Sequence, residues 1–184
     1  MSSLLGRLQA TDCAGTPLAV DDAFAAWGDM TADLRAHNGE AYFVGNGASA
    51  AMASHCAADI MKNGRVRARV FTDNAMITAL GNDLSYERVF SEPLFWCMRP
   101  GDMLVAVSSS GASPNIISAV QAARRCRGLV VTLSAFKAAN PLRGLGDLNF
   151  YVPAPTYGLA ESCHAAILHY WVDRITAGAP AEAP

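Results

Sequence analysis

The chain has 184 residues, 52% of them hydrophobic, and a formal net charge of −2. That balance excludes the broad basic surface of a nucleic-acid binder, and no apolar run is long enough to cross a membrane. The length suits one domain with a substantial core, and the high apolar share predicts a subunit interface in a homo-oligomer.

Apolar runs alternate with helical patterns, which predicts βαβ units and a mainly parallel sheet. A helical N-terminal segment is expected over about 1–38, including an amphipathic helix in "VDDAFAAWGDMTADLRAH" opened by Asp21 or Asp22. "EAYFVG" (40–45) reads as the first strand and the stretch from Ser49 to about Lys62 as its helix. "ARVFTD" (68–73) is the second strand, and 74–98 reads as two helical pieces broken near Gly81-Asn82-Asp83. "DMLVAVS" (102–108) is the third strand, followed by a helix with Ser113 at its N-cap and Pro114 at its first position. "RRCR" at 124–127 falls at that helix's end, where the dipole favours cations. "GLVVTLS" (128–134) and "LNFYV" (148–152) are the fourth and fifth strands, a long helix near 157–176 closes the domain, and the tail over 178–184 is expected to be disordered.

Cys13, Cys56, Cys97, Cys126 and Cys163 are odd in number and scattered, with no C-x-x-C pair. The pattern predicts free thiols in a reducing compartment rather than disulfides or a structural zinc site. No basic segment leads into a long apolar core at the N-terminus, so the cytoplasm is the expected location.

Two strand ends carry the chemistry. "GNGAS" follows the first strand and "VSSSGASPN" (107–115) ends the third, and each opens a helix. Backbone N–H groups, hydroxyls and a positive helix end are the ingredients of an anion site. In a flavodoxin-like strand order, 2-1-3-4-5, the two loops flank the switch point where open α/β sheets place ligands. Neither loop is a Walker A or a G-x-G-x-x-G motif, so the expected anion is a phosphorylated small molecule and no nucleotide cofactor is implied. On the helices, His55 and Asp59 are four residues apart and share a face, while Glu161, His164 and His169 lie on the last helix. Such a set can ligate a metal or supply an acid–base pair. Glu161 and His169 are separated by about 12 Å of helix rise. They can serve one site only by leaning together, through a helix irregularity, or from different subunits.

"GNGASAAMASHCAADI", "TDNAMITALGND", "VSSSGASPNII" and "AESCHAAILH" together resemble the successive motifs of the phosphoheptose isomerase family of sugar isomerase (SIS) domains. The resemblance runs from about residue 40 to 173. It implies a three-layer α-β-α fold around a five-stranded parallel sheet, assembled as a homotetramer with active sites at subunit interfaces. It also implies conversion of sedoheptulose 7-phosphate to D-glycero-D-manno-heptose 7-phosphate through an enediol, with zinc as a frequent cofactor. Ser49, Ser108, Ser109, Ser110 and Ser113 would surround the sugar phosphate, with Asn46 and Asp73 near the sugar. His55, Asp59, Glu161 and His169 fall on the family's metal and acid–base positions: Asp59 as base with Glu161 as substitute, and His169 as acid. His164 matches a family histidine but receives no chemical role. Four departures stand out. Asp59 replaces the usual Glu, Glu161 the usual Gln, Asn63 a common Arg, and Gly158 an acidic residue. The rival reading is a non-catalytic SIS module that binds sugar phosphates, in regulation or beside a replication initiator.

Overall fold

The computed structural model describes residues 1–177. The expectation of a disordered tail over 178–184 lies outside the described residues.

Five strands form the parallel part of the sheet: β3 (Glu40–Val44), β4 (Arg67–Val70), β5 (Met103–Ser108), β6 (Leu129–Ser134) and β7 (Leu148–Tyr151). Their spatial order, β4-β3-β5-β6-β7, is the expected 2-1-3-4-5. Every residue of β3, β5 and β7 is buried, as strands covered on both faces must be. Successive side chains point to opposite faces. Ala41, Phe43, Met103, Val105 and Val107 meet the helices α2 (Val20–Ala36), α3 (Ala48–Lys62) and α7 (Tyr157–Ala177). Tyr42, Val44, Leu104 and Ala106 meet α4 (Asn74–Asp83), α5 (Ser91–Cys97) and α6 (Pro114–Arg125).

The N-terminal segment differs from the expected helices, and the sheet has seven strands rather than five. A short α1 (Ser2–Leu5) is followed by β1 (Gln9–Asp12) and β2 (Pro17–Leu18), a hairpin laid antiparallel on β7. Asp12 Oδ1 holds the turn by accepting the N–H groups of Ala14 and Thr16, at 2.9 and 2.8 Å. The hairpin covers what would otherwise be an open sheet edge. Buried Asn149 ties it down from β7, with Nδ2 donating to the Asp12 carbonyl at 3.2 Å.

Helix α2 starts at Val20 with Ala19 at its N-cap, so Asp21 and Asp22 occupy the first turn, where the dipole favours them, rather than the cap. The break expected near Gly81–Asp83 falls just later: α4 runs through Asp83, and a 3-10 turn over Tyr86–Arg88 leads into α5.

The core around α7 is aromatic. Trp171 stacks on Trp27 with ring centroids 4.2 Å apart, and its Nε1 donates to Thr31 Oγ1 at 3.2 Å. His164, two turns earlier on the same face of this helix, is fully buried, and neither ring nitrogen finds a partner in hydrogen-bond geometry among the described residues.

Burial pushes the His164 ring down from 6.5 to about 4, offset only in part by the nearby Ser134 backbone. Above pH 6.5 the folded and unfolded chains both hold this ring neutral, and its titration leaves stability unchanged. Between about pH 6.5 and 4 only the unfolded chain takes up a proton, so folding stability falls with pH, by at most about 3 kcal/mol. The melting temperature should drop across this window. His164→Leu, which has no ring to titrate, should flatten that part of the curve; an unchanged slope would assign the acid sensitivity to other groups.

Candidate functional site

The site grows from the adjacent C-terminal ends of β3 and β5. Parallel pairing sets Val44 opposite Ala106, so the turns that leave both strands lie side by side. Gly45 makes the first turn possible, because a Cβ there would sit 2.6 Å from the Ser49 backbone carbon. Gly47, with φ +57°, is the N-cap of α3, and Ser49 is buried in the first turn of that helix.

The second turn is the serine loop. Ser108 Oγ accepts the Gly111 N–H at 3.2 Å and lies 3.4 Å from Ser113 Oγ. Ser110 Oγ accepts the Ala112 N–H at 3.2 Å. Gly111 has φ +62°, and a Cβ there would collide with the Asn140 carboxamide, so this position demands glycine on two counts. Ser113 is the N-cap of α6 and Pro114 follows it, as expected, but its hydroxyl faces Ser108 instead of capping the helix. The first N–H groups of α6 therefore have no help from that side chain. Ser109 is buried, and its Oγ has no partner among the described residues. A buried orphan hydroxyl is costly unless a ligand completes it.

These residues line one pocket of about 140 Å³: Asn46, Ser49, Ser108, Ser109, Ser110 and Ser113, closed by Tyr157 and Glu161 of α7. No lysine or arginine is among the lining residues. Its donors are neutral hydroxyls and amides at two helix starts, which suits an oxyanion. Tyr157 was not singled out from the sequence. Its position four residues before Glu161, on the same helix face, is the signal that could have found it. Its ring packs edge-on against Phe136, with centroids 4.9 Å apart.

Asp73 does not line this pocket. Its carboxylate caps α4 by accepting the Met76 N–H at 3.1 Å.

A second cluster lies where α3 and α7 pack together. His55 Nε2 is 3.3 Å from Asp59 Oδ2, and His169 Nδ1 is 4.0 Å from the same oxygen. One donor atom from each of the three lies within 4.8 Å of the others, and both imidazoles are exposed. Two imidazoles and a carboxylate are a donor set that zinc accepts, with coordination positions left open. Glu161 is not part of this cluster; it faces the serine pocket. Cys56 lies beside the cluster, and burial, with the nearby Asp59 charge, pushes its thiol well up.

A larger groove, about 780 Å³, lies at the opposite ends of β3, β4 and β5. Its buried acids are already paired. Glu40 accepts the Tyr42 hydroxyl at 2.7 Å and Arg69 Nε at 3.3 Å, and Asp102 takes the N–H groups of Glu40 and Arg99 at 2.9 and 2.7 Å. The helix starts and free hydroxyls that define the serine pocket are at the other end of the sheet.

Comparison with known proteins points the same way. The SIS domain family model matches residues 19–135. The phosphoheptose isomerase of Paramagnetospirillum magneticum is 34% identical over 173 residues, 90% of each chain. Among solved structures, phosphoheptose isomerase GmhA from Neisseria gonorrhoeae superposes with a TM-score of 0.78 at 30% identity, over 84% of this chain and 86% of that one. A phosphoheptose isomerase from Francisella tularensis gives 0.79 at 25% identity, over 85% of this chain and 86% of that one. With its motifs, its parallel strand order and its serine-lined switch point all in agreement, the chain belongs to the phosphoheptose isomerase family of SIS domains.

Proposed function

We propose that the chain is a sugar-phosphate isomerase that converts sedoheptulose 7-phosphate to D-glycero-D-manno-heptose 7-phosphate. The observation that carries the reading is the serine pocket, with the orphan Ser109 hydroxyl inside it and a free carboxylate, Glu161, on its rim. The phosphate occupies the cradle formed by Ser49, Ser108, Ser109, Ser110 and Ser113, and Asn46 donates to the sugar. Asp73, which caps α4 outside this pocket, stands nearer the sugar than the phosphate.

Isomerisation moves one proton from C1 to C2 and another between the two oxygens, through an enediol. Asp59 is engaged with His55 and close to His169, whereas Glu161 has no hydrogen-bonding partner among the described residues. The base role therefore passes to Glu161, which takes the proton from C1 and returns it to C2. His169 moves the proton between the oxygens. Helix α7 is continuous from Tyr157 to Ala177, so no irregularity brings the two together across about 12 Å of helix rise. They meet one substrate when His169 comes from a neighbouring copy, which favours a homotetramer of this single domain with shared sites, working in the cytoplasm. Zinc fits His55, Asp59 and His169, and when bound it would polarise the sugar's oxygens.

Purified protein should interconvert the two heptose phosphates in a coupled assay. Binding without turnover of any ketose phosphate would favour a non-catalytic sugar-phosphate module instead.

Ser109→Ala should leave the melting temperature unchanged or raise it, because it removes a buried hydroxyl that lacks a partner. Sugar-phosphate affinity should fall about tenfold or more, the scale of one hydrogen bond to a charged group. Unchanged affinity in calorimetry would show that the phosphate lies elsewhere.

His169→Asn should lower turnover by about two to four orders of magnitude while affinity changes little, since the serines of the cradle belong to other elements. Turnover at the parent rate would remove His169 from the chemistry. Elemental analysis of both proteins assigns its part: zinc retained points to proton transfer, zinc lost to ligation.

A further inference from the structure

The Asn46 amide is held from two directions before any ligand arrives. Its Nδ2 donates to Asn115 Oδ1 at 3.0 Å, and Asn115 Nδ2 donates back to Asn46 Oδ1 at 2.8 Å. The Tyr86 hydroxyl, from the 3-10 turn between α4 and α5, donates to the same Oδ1 at 3.3 Å. A carbonyl oxygen has two acceptor sites, so Asn46 Oδ1 is fully used. One Nδ2 hydrogen is taken by Asn115, and the other has no partner among the described residues.

We infer that Asn115 and Tyr86 are positioning residues that present the Asn46 amide to the pocket as a single fixed donor, aimed at an oxygen of the bound sugar phosphate. The inference rests on the sugar-phosphate reading of the serine pocket and adds the means by which its selectivity is set. A free asparagine can rotate about two side-chain bonds and can offer either its oxygen or its nitrogen. Ordering it only on binding would weaken affinity. Here Asn115 fixes the plane of the amide, and the Tyr86 hydroxyl bonds its Oδ1 edge, which leaves the free N–H on the other edge. The two holders come from different elements, α6 and the 3-10 turn, while Asn46 lies in the turn between β3 and α3. The amide thus ties the turn after β3 to α6 and to the 3-10 turn. A sugar oxygen with lone pairs fits the remaining N–H; a group that only donates does not.

Burial makes the two holders unequal as probes. Asn115 is 2% exposed and Tyr86 59%. Tyr86→Phe therefore keeps the ring, removes one hydroxyl at the surface, and should leave the melting temperature unchanged. The affinity for sedoheptulose 7-phosphate, read by calorimetry, should fall about three- to tenfold, the scale of one neutral hydrogen bond. The deciding measurement is a double-mutant cycle with Asn46→Ala. If Tyr86 acts only through Asn46, Tyr86→Phe changes affinity no further once the amide is gone. An equal loss in both backgrounds would mean that Tyr86 touches the ligand itself, and parent affinity in the single variant would mean that it does nothing; either overturns the inference. Asn115→Ala gives a second test, because it withdraws both the acceptor for Asn46 Nδ2 and the donor to Oδ1 without adding a charge. It too should weaken binding in the parent and not in the Asn46→Ala background. Affinity is read apart from turnover, so a protein that binds the sugar phosphate without isomerising it would sink the catalytic reading while the cycle still decides this one.

Discussion

Everything at the site inherits one constraint, the parallel pairing of β3 with β5. With Val44 opposite Ala106, two chain segments far apart in sequence end at the same level, and each turns at once into a helix. A parallel pair needs long crossovers, so its strand ends are filled with loops and helix starts. Shifting the register by one residue would send Phe43 and Val105 to the opposite face of the sheet and break both cores. The burial that fixes the fold therefore also fixes how close the two Gly/Ser turns come. Gly45 and Gly111 then allow the backbone to approach where any side chain would collide.

The third wall is α7, and its position depends on a different interaction. The Trp27–Trp171 stack and the Trp171–Thr31 hydrogen bond fasten α7 to α2, with Phe150 of the sheet against Trp27 at 5.3 Å between centroids. Buried aromatic side chains of this kind hold a helix in place at a cost of about 3–5 kcal/mol when truncated. Once α7 is fastened, its length separates two tasks. Tyr157 and Glu161 reach the serine pocket from its first turns, and His169 meets His55 and Asp59 two turns later. A helix packed along one face of the sheet can serve both places, whereas a loop would have to be ordered separately at each.

Much of this was legible in the sequence, and the exceptions have physical causes. Near-continuous apolar runs such as "MLVAV" mark strands buried on both faces, and their alternation with helical patterns fixes the parallel order. The Gly/Ser turns could be read as an anion site because two of them fall at neighbouring strand ends that each open a helix, where one alone reads as a turn or cap. The β1–β2 hairpin was not legible. One of its strands has two residues, and its pairing partner, β7, lies more than a hundred residues away. The parting of Glu161 from His169 was half legible: helix rise shows that they are apart, but only packing shows which neighbour each one meets. Asn115 and Tyr86 gave no signal, because an amide pair and a surface hydroxyl become informative only when Asn46 is seen between them.

The departures from the family pattern acquire different weight once they are placed. Asn63 closes α3, its N–H bonded to the Asp59 carbonyl at 2.7 Å. That is the far end of a 15-residue helix, about 20 Å from the cradle at its start. Within one chain, an anion in the serine pocket would draw neither on a charge at position 63 nor on a cation among the lining residues. What remains are hydroxyls, amide N–H groups and the positive ends of α3 and α6, which recognise an oxyanion by the direction of their donors. Such a cradle has little charge to spare, and this bears on Glu161. Two like charges 4 Å apart near a protein surface repel by about 4 kcal/mol, more than one charged hydrogen bond returns. On the sugar-phosphate reading, the Glu161 carboxylate must therefore stand toward the carbon chain of the ligand and away from its phosphate. That is where a free carboxylate can accept a proton from carbon, a task the usual glutamine could not perform.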